Sequence, residues 1–243
     1  MNKDLINNLK LLKLTTIASI LEDYLLKPEN LKLSLTDSLG VLINEEISAR
    51  KNRKIKRLTT DANLPYSAIS VDSLIDIEKR GINRAQIYNL FELNFIRFYQ
   101  NIIITGPTGI GKTYISELIG QIACTKLFKV KFIKAPVLTE MLKYNHKNER
   151  IMDYVKELTK YNLMIIDEFG LIKMETQQIH DLLTIINFGK NKQSLIINSQ
   201  LTIKEWHNYF SDPILSNSIL DRLFSNSHII EMEGESLRKS RLS

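Results

Sequence analysis

The sequence predicts an α/β fold, with a five-stranded parallel sheet between helices and a small all-helical region before it. From residue 101 onward, short and nearly continuous apolar runs alternate with helical stretches. Such runs are typical of parallel strands that are buried on both faces. Before residue 66, apolar positions instead recur every three or four residues, which indicates helices. We therefore predict a helical domain over residues 1–65 and an α/β domain over residues 66–243.

The composition limits the class of protein. The chain has 243 residues, of which 44% are hydrophobic, so it can bury a substantial core. No stretch reaches the roughly 18 uncharged apolar residues of a membrane span, and the charged N-terminus lacks the apolar centre of a signal peptide. A cytoplasmic protein without a membrane partner is therefore expected. Cys124 is the only cysteine, which excludes an intrachain disulfide and a thiolate zinc cluster.

The N-terminal region is predicted to be helical and basic. Residues 1–60 contain 11 Lys and Arg against 7 Asp and Glu, within a chain of formal net charge +6. Apolar residues recur at helical spacing over residues 5–24, and a second helix is predicted to begin at Ser34, with Asp37 completing its cap. An uneven basic excess favours a polyanionic partner.

The α/β region is predicted to contain five strands and a preceding helix over residues 83–98, capped by Asn83. The strands are the runs NIIIT (101–105), VKFI (130–133), LMIID (163–167), SLIIN (194–198) and HIIEM (228–232). Ligands of such sheets bind at the carboxyl ends of the strands. Motifs at those ends are therefore the candidates for function.

The first strand leads into GPTGIGKT, which fits the phosphate-binding pattern G-x-x-x-x-G-K-[ST] between a strand and a helix. Its glycines let backbone N–H groups wrap a phosphate, and a helix N-terminus adds positive potential. Lys112 is expected to reach the β- and γ-phosphates, and the Thr113 hydroxyl to ligate magnesium. ATP and Mg²⁺ are the predicted cofactors. The predicted nucleotide-binding residues are Gly106, Pro107, Thr108, Gly109, Ile110, Gly111, Lys112, Thr113 and Tyr114.

The third strand ends in two carboxylates, Asp167 and Glu168, 55 residues after Lys112. Asp167 is predicted to hold magnesium together with Thr113. Glu168 is predicted to orient and polarise the attacking water, because phosphoryl transfer depends on positioning more than on covalent chemistry. The following DEFG segment is not a kinase D-F-G motif, because the other kinase motifs are absent.

Two further positions carry polar groups that suit catalysis. Asn198 and Ser199 end the fourth strand, where one of them is expected to contact the γ-phosphate or the attacking water; strand register decides which. Arg222 lies in the amphipathic stretch SILDRLF. From the residues alone it either forms a surface ion pair with Asp221 or Glu231, or acts as an arginine finger toward a neighbouring subunit.

In this order, GPTGIGKT, LMIIDEFGL, IINSQL, Trp206, DPILSNSILDRL and GESLRK closely resemble the IstB-like transposition helper ATPases. These belong to the helicase-loader group of AAA+ proteins, which includes DnaC. The resemblance covers nearly the whole chain, since LKLLKLTTIASILEDYL and EEISARKNRKIKRL are similar to that family's N-terminal region. One departure is that some relatives carry a second Asp at the position of Glu168.

The resemblance implies a P-loop AAA+ core that hydrolyses ATP at the interfaces of a homo-oligomer. It implies a sensor role for Asn198 or Ser199 and an interface-finger role for Arg222. It also implies that the protein recruits and stimulates a cognate transposase of an insertion sequence. Because 11 residues follow Met232, too few for the helical lid of typical AAA+ proteins, no C-terminal lid is expected and the role of Arg238 stays open.

A basic run in the N-terminal region is predicted to contact duplex DNA, so that the bound protein would associate with the nucleoid. At about 100° per residue, five cations fall within a helical arc of roughly 160°, with Lys51 outside it. Contacts of this kind read no sequence and depend steeply on salt. A solvated helix face is the alternative interpretation. The five residues are Arg50, Arg53, Lys54, Lys56 and Arg57.

Three alternative functions remain open at this point. A DnaC-like replicative helicase loader would use the same core with a hexameric helicase as its partner. A small-molecule phosphotransferase is favoured by the phosphate loop alone, whereas Glu168 and the basic N-terminus argue against it. A third alternative is a DNA-binding scaffold that uses ATP for assembly with negligible turnover.

Overall fold

The computed structural model describes residues 2–26, 34–65, 80–210 and 212–236. The chain forms two compact units, residues 1–57 and residues 58–243. Residues 58–65, which the sequence analysis assigned to the N-terminal region, therefore belong to the second unit. Arg238 and most of the predicted connection after residue 65 lie outside the described residues.

The first unit is helical, as its apolar spacing predicts. The pattern over residues 5–24 covers two helices rather than one, because Lys13 takes a positive φ of 59° between them. The Ser34 hydroxyl accepts a hydrogen bond from the backbone N–H of Asp37 at 3.1 Å, which confirms Ser34 as the cap of the next helix. The Asp37 carboxylate in turn accepts a hydrogen bond from the Ser34 hydroxyl at 2.6 Å. The helices are α1 (Asn2–Leu11), α2 (Thr15–Leu26) and α3 (Leu35–Asp61), whose last turn lies in the second unit.

Glu46 of α3 is a buried anion within the first unit. Its carboxylate accepts hydrogen bonds from the backbone N–H groups of Thr16 (2.8 Å) and Ile17 (3.2 Å), in the first turn of α2. It also pairs with Arg50 (2.8 Å) and Arg53 (3.3 Å) of its own helix. Burial by itself would raise the pKa of Glu46, but the hydrogen bonds from Arg50 and the α2 backbone lower it to about 2. A side chain of α3 thereby caps α2.

The described part of the second unit contains a five-stranded sheet in the order β2-β3-β4-β1-β5, with every neighbouring pair parallel. This confirms the predicted fold class. Each strand end agrees with its predicted apolar run to within two residues. The strands are β1 (Asn101–Thr105), β2 (Val130–Lys134), β3 (Leu163–Phe169), β4 (Ser194–Ser199) and β5 (Ser227–Glu231).

Helices cover both faces of this sheet. On one face, α4 to α6 pack with Leu58 and Ala62 against Ile102 and Ile104 of β1. On the other, α7 to α11 pack against Ile103. No described helix is both long and apolar enough to cross a bilayer. The helices of this unit are α4 (Arg84–Phe91), α5 (Asn94–Arg97), α6 (Lys112–Thr125), α7 (Ala135–Lys147), α8 (Ile151–Leu158), α9 (Thr176–Gly189), α10 (Ile203–Tyr209) and α11 (Pro213–Phe224).

The helix predicted over residues 83–98 is two helices in the structure. Its predicted start is confirmed, because the Asn83 side chain accepts a hydrogen bond from the backbone N–H of Ala85 at 2.8 Å. Leu93 then takes a left-handed φ of 60° and separates α4 from α5. This side chain is 1% exposed within the core, so packing overrides the helical preference of the local sequence.

Candidate nucleotide-binding site

The phosphate loop, residues 106–113, connects the carboxyl end of β1 to the first turn of α6. Gly106 and Gly109 have φ angles of 143° and 82°, which residues with side chains rarely adopt. A Cβ on Gly106 would lie 2.3 Å from the carbonyl oxygen of Met232, and one on Gly109 would lie 2.1 Å from the hydroxyl of Ser236. The segment after β5 therefore packs directly against the loop and leaves no room for side chains at these two positions.

Lys112 is held inside the phosphate loop. Its ammonium donates hydrogen bonds to the carbonyl oxygens of Gly106 and Pro107, at 2.6 and 2.8 Å. Burial lowers the pKa of Lys112, and the nearby Asp167 carboxylate partly offsets that effect. The loop carbonyl oxygens thus accept the hydrogen bonds of the Lys112 ammonium. In a nucleotide complex, phosphate oxygens would accept these bonds instead.

Asp167 lies at the centre of a polar cluster beside the loop. Its carboxylate accepts hydrogen bonds from the Thr113 hydroxyl, at 3.0 and 3.1 Å, and from Asn198 Nδ2 at 2.8 Å. Asn198 Nδ2 also donates to Ser116 Oγ at 2.7 Å. Asp167 is 3% exposed and Asn198 is fully buried. The structure thus brings both predicted metal ligands together with one of the two predicted sensor residues.

Ser199, the other sensor candidate, points to the opposite face of β4. Ile196 and Ile197 belong to apolar clusters on opposite faces, so successive side chains alternate and Ser199 faces away from α6. Its hydroxyl donates to the carbonyl oxygen of Phe169 at 2.8 Å and accepts from the N–H of Leu201 at 3.1 Å. These bonds are internal to the fold, and Ser199 does not join the polar cluster.

A β-bulge at the end of β3 separates the predicted magnesium ligand Asp167 from the predicted catalytic residue Glu168. Over Ile166–Phe169, β3 advances three residues while β4 advances two. Glu168 lies in this bulge with a φ of 58°, and its carboxylate accepts a hydrogen bond from Lys134 Nζ at 2.8 Å. Successive carboxylates therefore take different partners: Asp167 contacts the phosphate loop, and Glu168 pairs with the end of β2.

This cluster fits a nucleoside triphosphate with a magnesium ion. The Thr113 hydroxyl and the Asp167 carboxylate are the hard oxygen ligands that Mg²⁺ prefers. Asn198 Oδ1 is buried and has no hydrogen-bond partner among the described residues, so it can accept from a water bound with the nucleotide. Among the residues that the structure describes, no group of three or more His, Cys, Asp or Glu side chains is suited to hold a metal ion. Phosphates and waters would complete the ion's coordination here.

The amino-acid sequence from residue 7 to residue 243 matches the profile of the IstB-like ATP binding proteins. The chain belongs to this family. A relative from Bacillus thuringiensis subsp. berliner, named as the ATP-binding protein of insertion sequence IS232, is 32% identical over 236 residues, which cover 97% of this chain and 94% of the relative. The insertion sequence ATP-binding protein y4pL of Sinorhizobium fredii (strain NBRC 101917 / NGR234) is 32% identical over 237 residues, covering 97% and 96%.

Solved structures similar to this IstB-like chain include replication proteins. DnaI superposes with a TM-score of 0.55 at 13% identity, over 73% of this chain and 94% of that one. The DnaC helicase loader gives a TM-score of 0.51 at 14% identity, over 72% and 98%. AMPPCP-bound DnaA from Aquifex aeolicus gives 0.53 at 16% identity, over 75% and 55%. The fold is therefore that of a P-loop AAA+ core.

Arg222 of this IstB-like chain lies at the edge of the sheet opposite to the phosphate loop. With Asn187 and Lys190 it lines a cleft of about 130 Å³ that also includes Asn101 and Leu195, at the amino ends of β1 and β4. The phosphate loop follows the carboxyl end of β1. One five-residue strand, about 16 Å long, therefore separates the cleft from the ATP site of the same chain.

The guanidinium of Arg222 is held by neutral groups. Its Nε donates to Asn187 Oδ1 at 2.7 Å, and its Nη1 donates to the carbonyl and hydroxyl oxygens of Ser218 at 2.7 and 2.6 Å. Within the described part of the chain, no ion pair joins Arg222 to Asp221 or Glu231. The surface ion pair that the sequence left open is thus not formed there.

The five predicted DNA-binding cations on α3 fall into two groups. Arg50 donates to Glu46 and to the carbonyl oxygen of Lys13 (2.9 Å), and Arg53 donates to Glu46 and to the Thr16 hydroxyl (3.3 Å). These two side chains join α3 to the start of α2 and remain about half exposed. The other three cations, which are exposed on the same helix, are Lys54, Lys56 and Arg57.

Sequence reasoning missed three residues that contact the predicted site residues, namely Ser116, Lys134 and Asn187. Lys134 carried a usable signal, because it follows a predicted strand and so lies at the ligand-binding edge of the sheet. Ser116 and Asn187 are ordinary polar residues within helical stretches. Their contacts with Asn198 and Arg222 depend on long-range packing, which no local pattern expresses.

Proposed function

We propose that this chain is an ATP-hydrolysing AAA+ regulator of an insertion sequence, which assembles on duplex DNA without sequence specificity and recruits and stimulates the cognate transposase. One observation carries the proposal: the ATP-binding cluster around Asp167 and the arginine Arg222 lie at opposite edges of one sheet. Neither can act on the other within a single chain. A row of subunits would bring each Arg222 to the nucleotide of its neighbour.

Within each site, the chain's own residues divide the work of phosphoryl transfer. Lys112 binds the β- and γ-phosphates, and Thr113 with Asp167 would hold Mg²⁺, which neutralises phosphate charge when it is bound. Asn198 acts as the sensor, because its free Oδ1 can accept from the attacking water. Glu168 orients and polarises that water as general base. Its ion pair with Lys134 competes with this role, so we expect slow turnover until Glu168 is released.

Assembly and DNA binding follow from the other parts of the chain. Arg222 completes the neighbour's site and supplies positive charge to the transition state. Nucleotide state then controls the interface between subunits. The cations of α3 contact the phosphate backbone, and assembly multiplies these weak contacts into stable binding. The names of the relatives, which refer to insertion sequences, support a transposase as the partner.

The proposal is tested by measuring ATP turnover with and without random-sequence duplex DNA, with Lys112→Ala as the blank. We expect duplex DNA to accelerate turnover and Arg222→Ala to abolish the acceleration. Phosphate release must equal ADP release, whereas a phosphotransferase would require an acceptor molecule. Turnover that ignores DNA would overturn the proposal.

A binding assay separates the transposition regulator from the helicase loader. The ATP-bound protein is incubated with the transposase of the same element and, in parallel, with a hexameric replicative helicase. Retention of the transposase supports the proposal. Retention of the helicase alone would assign the chain to the helicase loaders.

A further inference from the structure

We propose that Asn187 is the positioning residue of Arg222, and that the cleft they share receives the terminal phosphate of the neighbouring subunit's nucleotide. This inference rests on the proposed function, in which Arg222 acts across an interface. It begins from the way in which the guanidinium is held. An arginine has five N–H donors in one plane.

Three of these donor contacts are made inside the chain and fix the plane of the guanidinium. Asn187 binds Nε from α9, and Ser218 binds Nη1 twice from the same helix as Arg222. Nη2 has no hydrogen-bond partner among the described residues. Its two N–H groups therefore form the free edge that can receive a phosphate oxygen. Because the contact with Asn187 comes from another helix, it restrains the arginine in a way that α11 alone does not.

The chemistry of the cleft favours an anion. Among the residues that line it, Arg222 and Lys190 are cations and none is an Asp or Glu. The Lys190 ammonium likewise has no partner within the described parts of the chain. Every acceptor on Arg222 is neutral, so the guanidinium is oriented while its charge stays uncompensated. A carboxylate at position 187 would hold the same Nε but would cancel that charge.

Two phosphate sources have this chemistry, namely nucleotide and DNA backbone. The cleft is concave, small and built around an arginine that is held in one orientation, which suits a single terminal phosphate. Contacts to a DNA backbone usually come from mobile cations spread along an exposed face, such as that of α3. We therefore commit to the neighbour's nucleotide as the occupant.

The test uses mixed assemblies of full-length chains on duplex DNA. Asn187→Ala is expected to lower turnover about 10- to 100-fold, because a small misplacement of a catalytic group has a large effect on rate. Arg222→Ala is expected to lower it about 1,000-fold or more. Lys112→Ala cannot use its own nucleotide but still carries an intact Arg222. In excess, it should restore turnover at the sites of either other variant.

Each outcome has a separate meaning. If excess Lys112→Ala does not restore ATP turnover at the sites of Arg222→Ala, then Arg222 does not act across a subunit interface and the proposed function is overturned. If excess Lys112→Ala restores the turnover of Arg222→Ala but not that of Asn187→Ala, then Asn187 acts on the ATP site of its own chain and the inference is overturned. Wild-type turnover of Asn187→Ala alone would also overturn it. A fall in DNA affinity at unchanged turnover would assign the cleft to DNA instead.

Two further variants separate positioning from folding. Thr184→Ala lies on the same helix, where its hydroxyl bonds only to the carbonyl oxygen of His180 among the described residues; it should leave turnover unchanged. Asn187→Asp keeps the hydrogen bond to Nε but adds a negative charge. It should therefore lower turnover and, like Asn187→Ala, be restored by Lys112→Ala in excess. If Asn187→Asp hydrolysed ATP at the wild-type rate, the charge of Arg222 would not need to stay uncompensated, contrary to the proposal.

Discussion

Asn198 and Ser199 are adjacent residues of β4 with different surroundings. One side chain lies beside the phosphate loop, and the other makes hydrogen bonds that hold the fold together. The amide of Asn198 contacts Asp167 and Ser116 beside the phosphate loop. The hydroxyl of Ser199 joins the ends of β3 and β4 through the carbonyl oxygen of Phe169. Both side chains are fully buried. We therefore expect their removal to affect different measured quantities.

We predict that Asn198→Ala lowers the maximal rate of ATP hydrolysis about 100-fold, because a preorganised polar group near the reacting phosphate is lost. Affinity for ATP should change little, since Lys112 and the phosphate loop are intact. Ser199→Ala should keep the rate and lower the free energy of unfolding by about 1–2 kcal/mol, since it removes buried hydrogen bonds. Steady-state kinetics and urea unfolding measure the two effects. If Ser199→Ala lowered the rate of ATP hydrolysis and Asn198→Ala did not, Ser199 rather than Asn198 would be the sensor.

At the scale of elements, α3 combines a structural ion-pair network with an exposed basic face. Glu46, Arg50 and Arg53 connect this helix to the first turn of α2. The side chains of Lys54 and Arg57 are exposed and have no hydrogen bond or ion pair to any described residue. The predicted DNA-binding face is thus partly a structural feature. Stability and DNA binding should respond to different substitutions in it.

The network around Glu46 predicts a pH-dependent stability. The pKa of Glu46 is about 2 in the folded chain, below the ordinary value of 4.5, so its stabilising effect is complete above pH 4.5 and is lost as the pH falls toward 2. Glu46→Gln should lower unfolding stability by about 1–3 kcal/mol near neutral pH. The gap to wild type should narrow in urea titrations at about pH 3. The exposed neighbour Glu45→Gln is the control, and a gap that does not change with pH would contradict the prediction.

The exposed part of the basic face predicts a change in salt dependence. We expect the double variant Lys54→Ala with Arg57→Ala to weaken duplex binding and to reduce the slope of log K against log salt by up to about 0.9 per lost contact. Thermal unfolding should be unchanged. Fluorescence anisotropy with random-sequence duplexes at several salt concentrations measures the slope. Lys51→Ala, outside the basic arc, is the matched control; an equal effect there would indicate general charge rather than this face.

At the scale of the whole molecule, the two edges of the sheet carry what we propose are complementary halves of an active site. The carboxyl edge holds the phosphate loop, Asp167 and Asn198. The amino edge carries Arg222 in its cleft. A monomer cannot unite these halves across the length of a strand. Assembly is therefore the step on which activity is expected to depend.

We predict that Glu168→Gln binds ATP normally but hydrolyses it about 100-fold more slowly or worse, because the general base is lost while the phosphate contacts remain. ATP-bound assemblies on duplex DNA should then persist longer than those of wild type. Dissociation is followed by light scattering after dilution into ATP-free buffer. The control is Lys112→Ala without other subunits, which should not assemble by itself because none of its interfaces holds a productively bound nucleotide. Equal lifetimes for Glu168→Gln and wild type would indicate a scaffold without coupled turnover.

The accuracy of the sequence-based predictions follows the range of the interactions involved. SLIIN and NIIIT were recognised as buried strands because a strand inside a parallel sheet has a local apolar signature. The helix breaks at Lys13 and Leu93 were missed, because a positive φ at a non-glycine residue has no local marker. The partner of Glu168 was missed for another reason. Lys134 reaches it from a neighbouring strand that lies 34 positions away in the chain.

The amino-acid sequence by itself determined the parallel sheet, the phosphate loop and the family, because buried apolar runs and a glycine–lysine loop are contiguous patterns. Tertiary structure decided which polar residues meet. Strand register directed Asn198 rather than Ser199 toward Asp167, and a bulge directed Glu168 to Lys134. Strand order and helix packing put Arg222 beside Asn187 at the far edge of the sheet. These contacts join segments that are far apart in the sequence, so they form only when the chain folds and no local sequence pattern predicts them.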